Sequence, residues 1–378
     1  MNDSVQTQIR SHLHPRASYD VADHAMPSKK EEIWRFSPLP KLLPLLDDAA
    51  GEPLEWTAEL PSGATRSPLT RDDAIAQGVQ APFDRVGAIA MARASQGVRI
   101  DVGADVVLDQ PILIDVTGRG TTGHGHTLVR VGANARVTLV TRFGGVATYG
   151  ELVNVEAGDG AEVNVVSIQN WAPGSIHGGQ HSFLVGRDAH VRTVTASLGG
   201  EVVRLTQTAR FAGPGGQLEQ FGLYFVDAGQ HIEHRLFVDH NEPHTTSKVD
   251  YRGALQGKGA RSVWVGDVLI RKNALAIDTY EANKNLLLTP GCHADSVPNL
   301  EIETGQIEGA GHSSTIGRFD DEQLFYLCSR GIPEDEARRL VVGGFFAEII
   351  RRIGVPDVEK ALLADVEAEL SGTDNQEK

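Results

Sequence analysis

The chain has 378 residues, and 35 basic against 50 acidic side chains give it a formal net charge of −15. This acidity disfavours nucleic-acid binding, which needs a basic surface. Its two cysteines can form neither a disulfide framework nor a four-cysteine iron–sulfur site within this chain. No apolar run is long enough to span a membrane and no signal sequence is visible at the N-terminus, so we expect a cytoplasmic protein.

The first 85 residues are rich in proline, with Pro27, Pro38, Pro40 and Pro44 in one short stretch. Proline ends helices and favours turns. Residues 1–85 are therefore predicted to form an N-terminal region of short helices and loops.

A glycine-containing repeat then runs through the middle of the chain. In each copy an apolar or alanine residue precedes the glycine, and a strand-like stretch of alternating residues follows it. The glycines are Gly103, Gly132, Gly158, Gly186 and Gly213. A period of about 27 residues is typical of stacked units. The repeat predicts a parallel β-helix over residues 86–318 with these glycines at its corners, where φ can be positive. The alternative is an antiparallel sandwich of short hairpins.

The C-terminal region, residues 319–370, shows helical patterns and helix-ending signals. Asp320 or Asp321 can cap a first helix that ends at Gly331, and Pro333 opens a second helix. A third helix is predicted over residues 358–370, and residues 371–378 resemble a disordered tail.

Several sequence motifs for catalysis are missing. There is no phosphate-binding loop, no GxSxG, no HExxH and no CxxC, so ATP hydrolysis by this chain and a closed zinc site have no support. Residues 289–303 contain the potential metal ligands Cys292, His293, Asp295 and Glu301. Cys292 can equally be an ordinary buried thiol. Further along, His312 follows two glycines in what reads as a flexible bend that exposes the ring.

The motifs that follow residue 240 resemble the SufB/SufD family of scaffold proteins in iron–sulfur cluster assembly. They are H-x-x-P-x-x-x-S at 240–247, A-R-S-V-W at 260–264, N-x-N-L-L-L at 283–288, A-D-S-V-P-N-L-E-I at 294–302 and H-S-S-T-I-G at 312–317, with E-x-W-R at 32–35 near the N-terminus. They occur in the family's order, and the sequence is most similar to the SufD branch because SufB's E-H-E-A-T pattern is absent.

The resemblance implies a right-handed parallel β-helix between helical segments, in a scaffold that is not an enzyme. It implies pairing with SufB through the β-helix and binding of the SufC ATPase through the C-terminal helices. The candidate partner-binding residues there are Leu324, Phe325, Phe345 and Phe346. His312 is the implied ligand for iron or a transient iron–sulfur cluster at the SufB interface, with Cys292 a weaker candidate. A reduced flavin is associated with the complex, but no flavin motif is visible here.

Two other functions fit parts of the sequence. A β-helix carbohydrate-active enzyme would use paired acids, for which Asp101 with Asp105 or Glu301 with Glu303 are available. A homodimeric adaptor for an ATPase, without cluster chemistry, is the third possibility.

Overall fold

The computed structural model describes residues 13, 16–319 and 321–372. Its N-terminal part contains two 3₁₀ helices (Val21–Asp23 and Glu32–Trp34), the helices α1 (Leu39–Leu46), α2 (Arg71–Ala76) and α3 (Arg85–Arg93), and the strands β1 (Glu55–Glu59) and β2 (Ala64–Pro68). The short helices were predicted, but the two strands were not. Both strands are largely exposed and add antiparallel edges to the first strands of the core.

The core contains fourteen strands, β3 to β16. They are β3 (Val98–Val102), β4 (Ile112–Val131), β5 (Arg136–Ala157), β6 (Glu162–Trp171), β7 (Ile176–Val185), β8 (His190–Ser197), β9 (Val202–Phe211), β10 (Gln217–Val226), β11 (His231–His240), β12 (Thr246–Leu255), β13 (Arg261–Ile270), β14 (Asp278–Leu287), β15 (His293–Ile302) and β16 (Gly309–Arg318). β5 pairs in parallel with both β6 and β7. Beyond it each odd-numbered strand pairs with the next odd one, which forms the odd-numbered sheet, and each even-numbered strand with the next even one, which forms the even-numbered sheet, always in parallel. This order confirms the parallel β-helix, with about 8 turns, and excludes the antiparallel sandwich.

The five repeat glycines lie at one corner of successive coils, as predicted. The reason is different from the one expected, because none of them has a positive φ. The left-handed residue comes two positions later, as at Asp105 and Asn134. The glycine itself is needed because the coils approach closely: a Cβ on Gly132 would lie 2.7 Å from Cα of Ala104.

The inside of the β-helix combines an apolar core with a chain of buried polar side chains. Gln207 donates to the Thr195 hydroxyl over 2.6 Å and accepts from the Gln220 amide at 3.0 Å. These bonds connect the two facing sheets and satisfy polar groups that would otherwise cost free energy when buried.

The N-terminal segment is fastened to the outside of the odd-numbered sheet by a buried charged cluster. Arg204 is 1% exposed, and its guanidinium lies 3.7 Å from the ring centroid of Trp34. The same group donates to Asp84 at 2.9 Å and lies 3.4 Å from Glu233, to which Ser37 also donates. Trp34 belongs to the E-x-W-R motif, so that motif stabilises the attachment of this segment.

Three C-terminal helices pack on the outside of the even-numbered sheet: α4 (Asp321–Ser329), α5 (Glu334–Ile350) and α6 (Pro356–Gly372). Gly331 and Gly354 follow helices α4 and α5 in the left-handed conformation, with φ of 85° and 71°, and Gly331 lies where the first helix was predicted to end. Helix α6 includes two residues of the predicted tail, while Asp320 and residues 373–378 lie outside the described residues. Within the described ranges, no helix is both long and apolar enough to cross a membrane.

Candidate functional site

The C-terminal end of the β-helix is open. Strands β15 and β16 form the two ends of the sheet order, so each has a parallel neighbour on only one side within the described part of the chain. Ile302 and Ile316, at this end, are 43% and 48% exposed. Unpaired strand edges with apolar side chains beside them are typical docking surfaces for another chain.

His312 lies on β16, the last strand of this open end. The bend predicted around Gly309 and Gly311 is wrong, because both belong to the strand. The predicted exposure of His312 is confirmed. Its register neighbour on β14 is Glu281, whose side chain points into the β-helix, so the imidazole lies on the inward face of the terminal coil. Because no further coil covers this face within the described residues, the ring reaches solvent.

Glu281 is a buried carboxyl one coil below His312. Burial, with a smaller contribution from the charge of Asp267, raises the pKa of Glu281 to about 8. Its Oε1 has no hydrogen-bond partner in the described structure, and its side chain occupies the space that a Cβ on Gly266 would need. The carboxyl is therefore neutral at pH 7. The sequence did not reveal Glu281 as a candidate, because only the pairing register of β14 and β16 brings it beneath His312.

The ligand candidates of residues 289–303 do not converge. Cys292 is partly buried at the corner before β15, with its Sγ 3.4 Å from the carbonyl oxygen of Gly257. His293 is exposed and lies 3.2 Å from Asp295, a carboxylate that Arg261 already holds at 2.7 Å. Among the described residues there is no group of three or more side chains arranged to hold a metal ion. A metal site on this chain alone is thus not formed by these residues.

The four candidate residues of the C-terminal helices have different environments. Leu324 is 8% exposed and Phe346 is fully buried, so both stabilise the packing of the helices. Phe345 is partly buried beside Phe346, with ring centroids 5.4 Å apart. Phe325 is 75% exposed, while Tyr326 on the same helix and Leu340 on α5 are 57% and 53% exposed. The exposed apolar surface of α4 and α5 therefore consists of Phe325, Tyr326 and Leu340, of which only Phe325 was a candidate.

A second polar cluster that the sequence did not reveal lies inside the early coils. Glu151 Oε1 lies 2.7 Å from His181 Nε2 and 3.2 Å from His177 Nε2, and all three residues are buried. Burial alone would raise the pKa of Glu151, but the two histidines outweigh it and lower the pKa to about 2. The cluster is enclosed by Trp171, which donates to His177. Its burial and its close mutual contacts fit a structural role.

The acid pairs considered for sugar hydrolysis are engaged elsewhere. Asp101 accepts from Arg99 at 2.6 Å, and Asp105 accepts from Asn134 at a corner of the first coil. Glu303 accepts the backbone N–H of Lys272 at 3.0 Å. At least one carboxyl of each pair is thus held by another group.

Comparison with known proteins gives a consistent picture. A family model described as the SufBD core domain of SUF-system FeS cluster assembly matches residues 114–345. An iron–sulfur cluster assembly SufBD family protein of Mycobacterium tuberculosis is 47% identical over 373 residues, covering 96% of this chain and 94% of the relative. The SufD protein of Bacillus subtilis is 23% identical over 349 residues (87% and 76% covered), and that of Escherichia coli 28% over 200 residues (53% and 47%).

Proposed function

The chain belongs to the SufBD family of iron–sulfur cluster assembly proteins, and we propose that it is the SufD-type scaffold subunit of a complex with SufB and the SufC ATPase. The observation that carries this proposal is the open terminal coil, where an exposed histidine lies on one of the two strands with free edges. Iron and the nascent cluster are cargo of this complex, and the chain itself performs no catalysis.

The free edges of β15 and β16 support pairing with SufB. A partner with the same fold offers two edges of its own, and joining the open ends would pair the backbone groups of both chains. The exposed side chains of Ile302 and Ile316 would be buried in such an interface. Edge-to-edge pairing would also place the inward face of the terminal coil, and with it His312, against the partner.

His312 then acts as one ligand of a shared site. A neutral imidazole binds iron, but a single ring cannot hold a cluster, so the remaining ligands come from SufB, with a thiolate as the expected one. The strand fixes the backbone of His312, and its exposed ring is accessible to a ligand. Cys292 is not required, because its thiol faces Gly257 at a corner of the chain.

The C-terminal helices are the proposed contact for SufC. Phe325, Tyr326 and Leu340 are exposed large apolar residues on α4 and α5, as expected of residues that anchor a partner. Helix α5 is tied to the β-helix by Arg252, which pairs with Glu348 and donates to the backbone oxygen of Phe345 at 2.9 Å. This connection would transmit movement of SufC during ATP hydrolysis to the coils. The reduced flavin expected in the complex is assigned to no residue of this chain.

The proposal is tested by co-expressing the tagged chain with SufB and SufC and purifying it through the tag. We expect the three proteins to co-purify and to gain iron, acid-labile sulfide and the visible absorption of a cluster on reconstitution. Capture of SufC without SufB would instead indicate the homodimeric adaptor. Recovery of the chain without either partner would contradict the proposal.

A further inference from the structure

A cavity of about 580 Å³ lies on the outside of the odd-numbered sheet, away from the open end. Pockets for small molecules are roughly 300–1,000 Å³. Its floor is formed by two neighbouring columns of outward-facing side chains from β5, β7, β9 and β11. One column is Asn154, Ser182, Thr208 and Phe237, and the other is Glu156, Leu184, Arg210 and Asp239. The N-terminal segment covers this floor, so the cavity has walls from two parts of the fold.

The charges along the second column leave an uncompensated cation at its centre. Glu156, at one end, is held by Arg130 at 2.7 Å. Asp239, at the other end, accepts hydrogen bonds from Nε and Nη2 of Arg271, at 2.6 and 2.9 Å. Arg210 stands between them and forms no ion pair within the described part of the chain.

A second free guanidinium faces the same cavity from the N-terminal segment. Arg16 lines the opening and has no ion-pair partner among the described residues. The rest of the lining is mixed: polar side chains such as Asn154 and Thr208 lie beside the apolar and aromatic residues Leu184 and Phe237 on the floor and Tyr19 of the N-terminal segment. Tyr19 is fixed in place because its hydroxyl donates to the backbone oxygen of Val79 at 2.6 Å.

We propose that this cavity binds a small organic dianion, a phosphate monoester or a dicarboxylate, through Arg16 and Arg210, with the apolar body of the ligand against Leu184 and Phe237. Guanidinium groups match the geometry of both anions, and their charge-assisted hydrogen bonds are stronger than neutral ones. The aromatic walls favour a flat body. Because the ligand would bridge the N-terminal segment and four coils, its binding would stabilise their association. The site is separate from His312 and does not depend on the function proposed above.

Calorimetric titration of the full-length chain tests the proposal with simple probes. Phenyl phosphate and phthalate carry both the dianion and a flat body, inorganic phosphate carries only the charge, and phenol only the body. We expect saturable binding of one equivalent of phenyl phosphate or phthalate, weaker binding of inorganic phosphate, and none of phenol. Whichever of the first two binds more tightly identifies the anion that the site takes.

Matched arginine variants locate the site. Arg210→Gln should weaken binding about tenfold or more, because a hydrogen bond to a charged group is lost, while Arg210→Lys should restore part of it. The control is Arg187→Gln, which changes an exposed arginine at a coil corner. Absence of saturable binding by all dianions at millimolar concentration would overturn the proposal. Equal effects of the Arg210 and Arg187 variants, or binding of phenol as tight as that of phenyl phosphate, would do so too.

Discussion

The stacking of the coils makes a quantitative prediction at Gly132. An added Cβ would lie 2.7 Å from Cα of Ala104 and 2.7 Å from the carbonyl carbon of Gly103, distances that folded proteins do not tolerate. Both contacts are with backbone of the coil below, which cannot rotate away as a side chain can. We therefore expect Gly132→Ala to force the coils apart and to lower the free energy of unfolding by about 1–3 kcal/mol, the usual cost of overpacking. Urea unfolding followed by circular dichroism measures the change.

Gly103 provides the matched control, because it has the same place in the repeat but lies in the first coil. A Cβ there would meet only a methyl group of Val106, at 3.6 Å, which is an ordinary contact. Its φ is not positive, so Gly103→Ala should be neutral or should stabilise by about 0.4–1 kcal/mol through the unfolded state. Equal urea midpoints for the two variants, with unchanged slopes, would refute close stacking as the reason for the repeat glycines.

Three further predictions follow from buried groups and from the helix surface. Since the folded-state pKa of Glu281 is raised to about 8 from 4.5, the free energy of unfolding falls as pH rises between these values. Glu281→Gln removes the titrating group, so its free energy of unfolding, measured in urea, should rise by about 3 kcal/mol relative to wild type between pH 5 and 8. Burial lowers the pKa of His234 and His240 to about 3 from 6.5, so the free energy of unfolding is highest above pH 6.5 and is lower by about 4 kcal/mol at pH 5, where both rings are protonated only in the unfolded chain. His234→Phe should halve this loss of stability, and an unchanged loss would contradict the reasoning. Phe325→Ala should abolish co-purification of SufC at unchanged stability, whereas Phe346→Ala should lower stability by about 3–5 kcal/mol; retention of SufC by the Phe325 variant would argue against that surface.

The repeat was visible in the sequence because each coil needs a glycine where its corner rests on the one below. The same pattern could not show which residue has the positive φ, since Asp105 and Asn134 occupy that position as readily as glycine. The strands β1 and β2 were missed for a related reason. They are short, exposed and bounded by proline, and their pairing partners lie 30 or more residues away.

The candidate site was predictable in part. The exposure of His312 followed from its polar, glycine-rich surroundings, but its place on a terminal strand depends on where the stack of coils ends. Glu281 and the Glu151 cluster assemble from residues in different coils, so no local spacing marks them. For Phe345 and Phe346, adjacent positions differ by about 100° around a helix. Only the position of the sheet beneath α5 decides that Phe346 is the one fully buried.

The most direct test of the account is the cluster content of the purified three-protein complex carrying His312→Ala, with His293→Ala as the control. Both histidines are exposed on the terminal coil, so neither change should alter stability by more than about 0.5 kcal/mol or prevent co-purification. We expect a several-fold loss of iron and acid-labile sulfide for His312→Ala and wild-type values for His293→Ala. Wild-type cluster content in the His312→Ala complex would contradict the assignment of His312 as a ligand at the SufB interface.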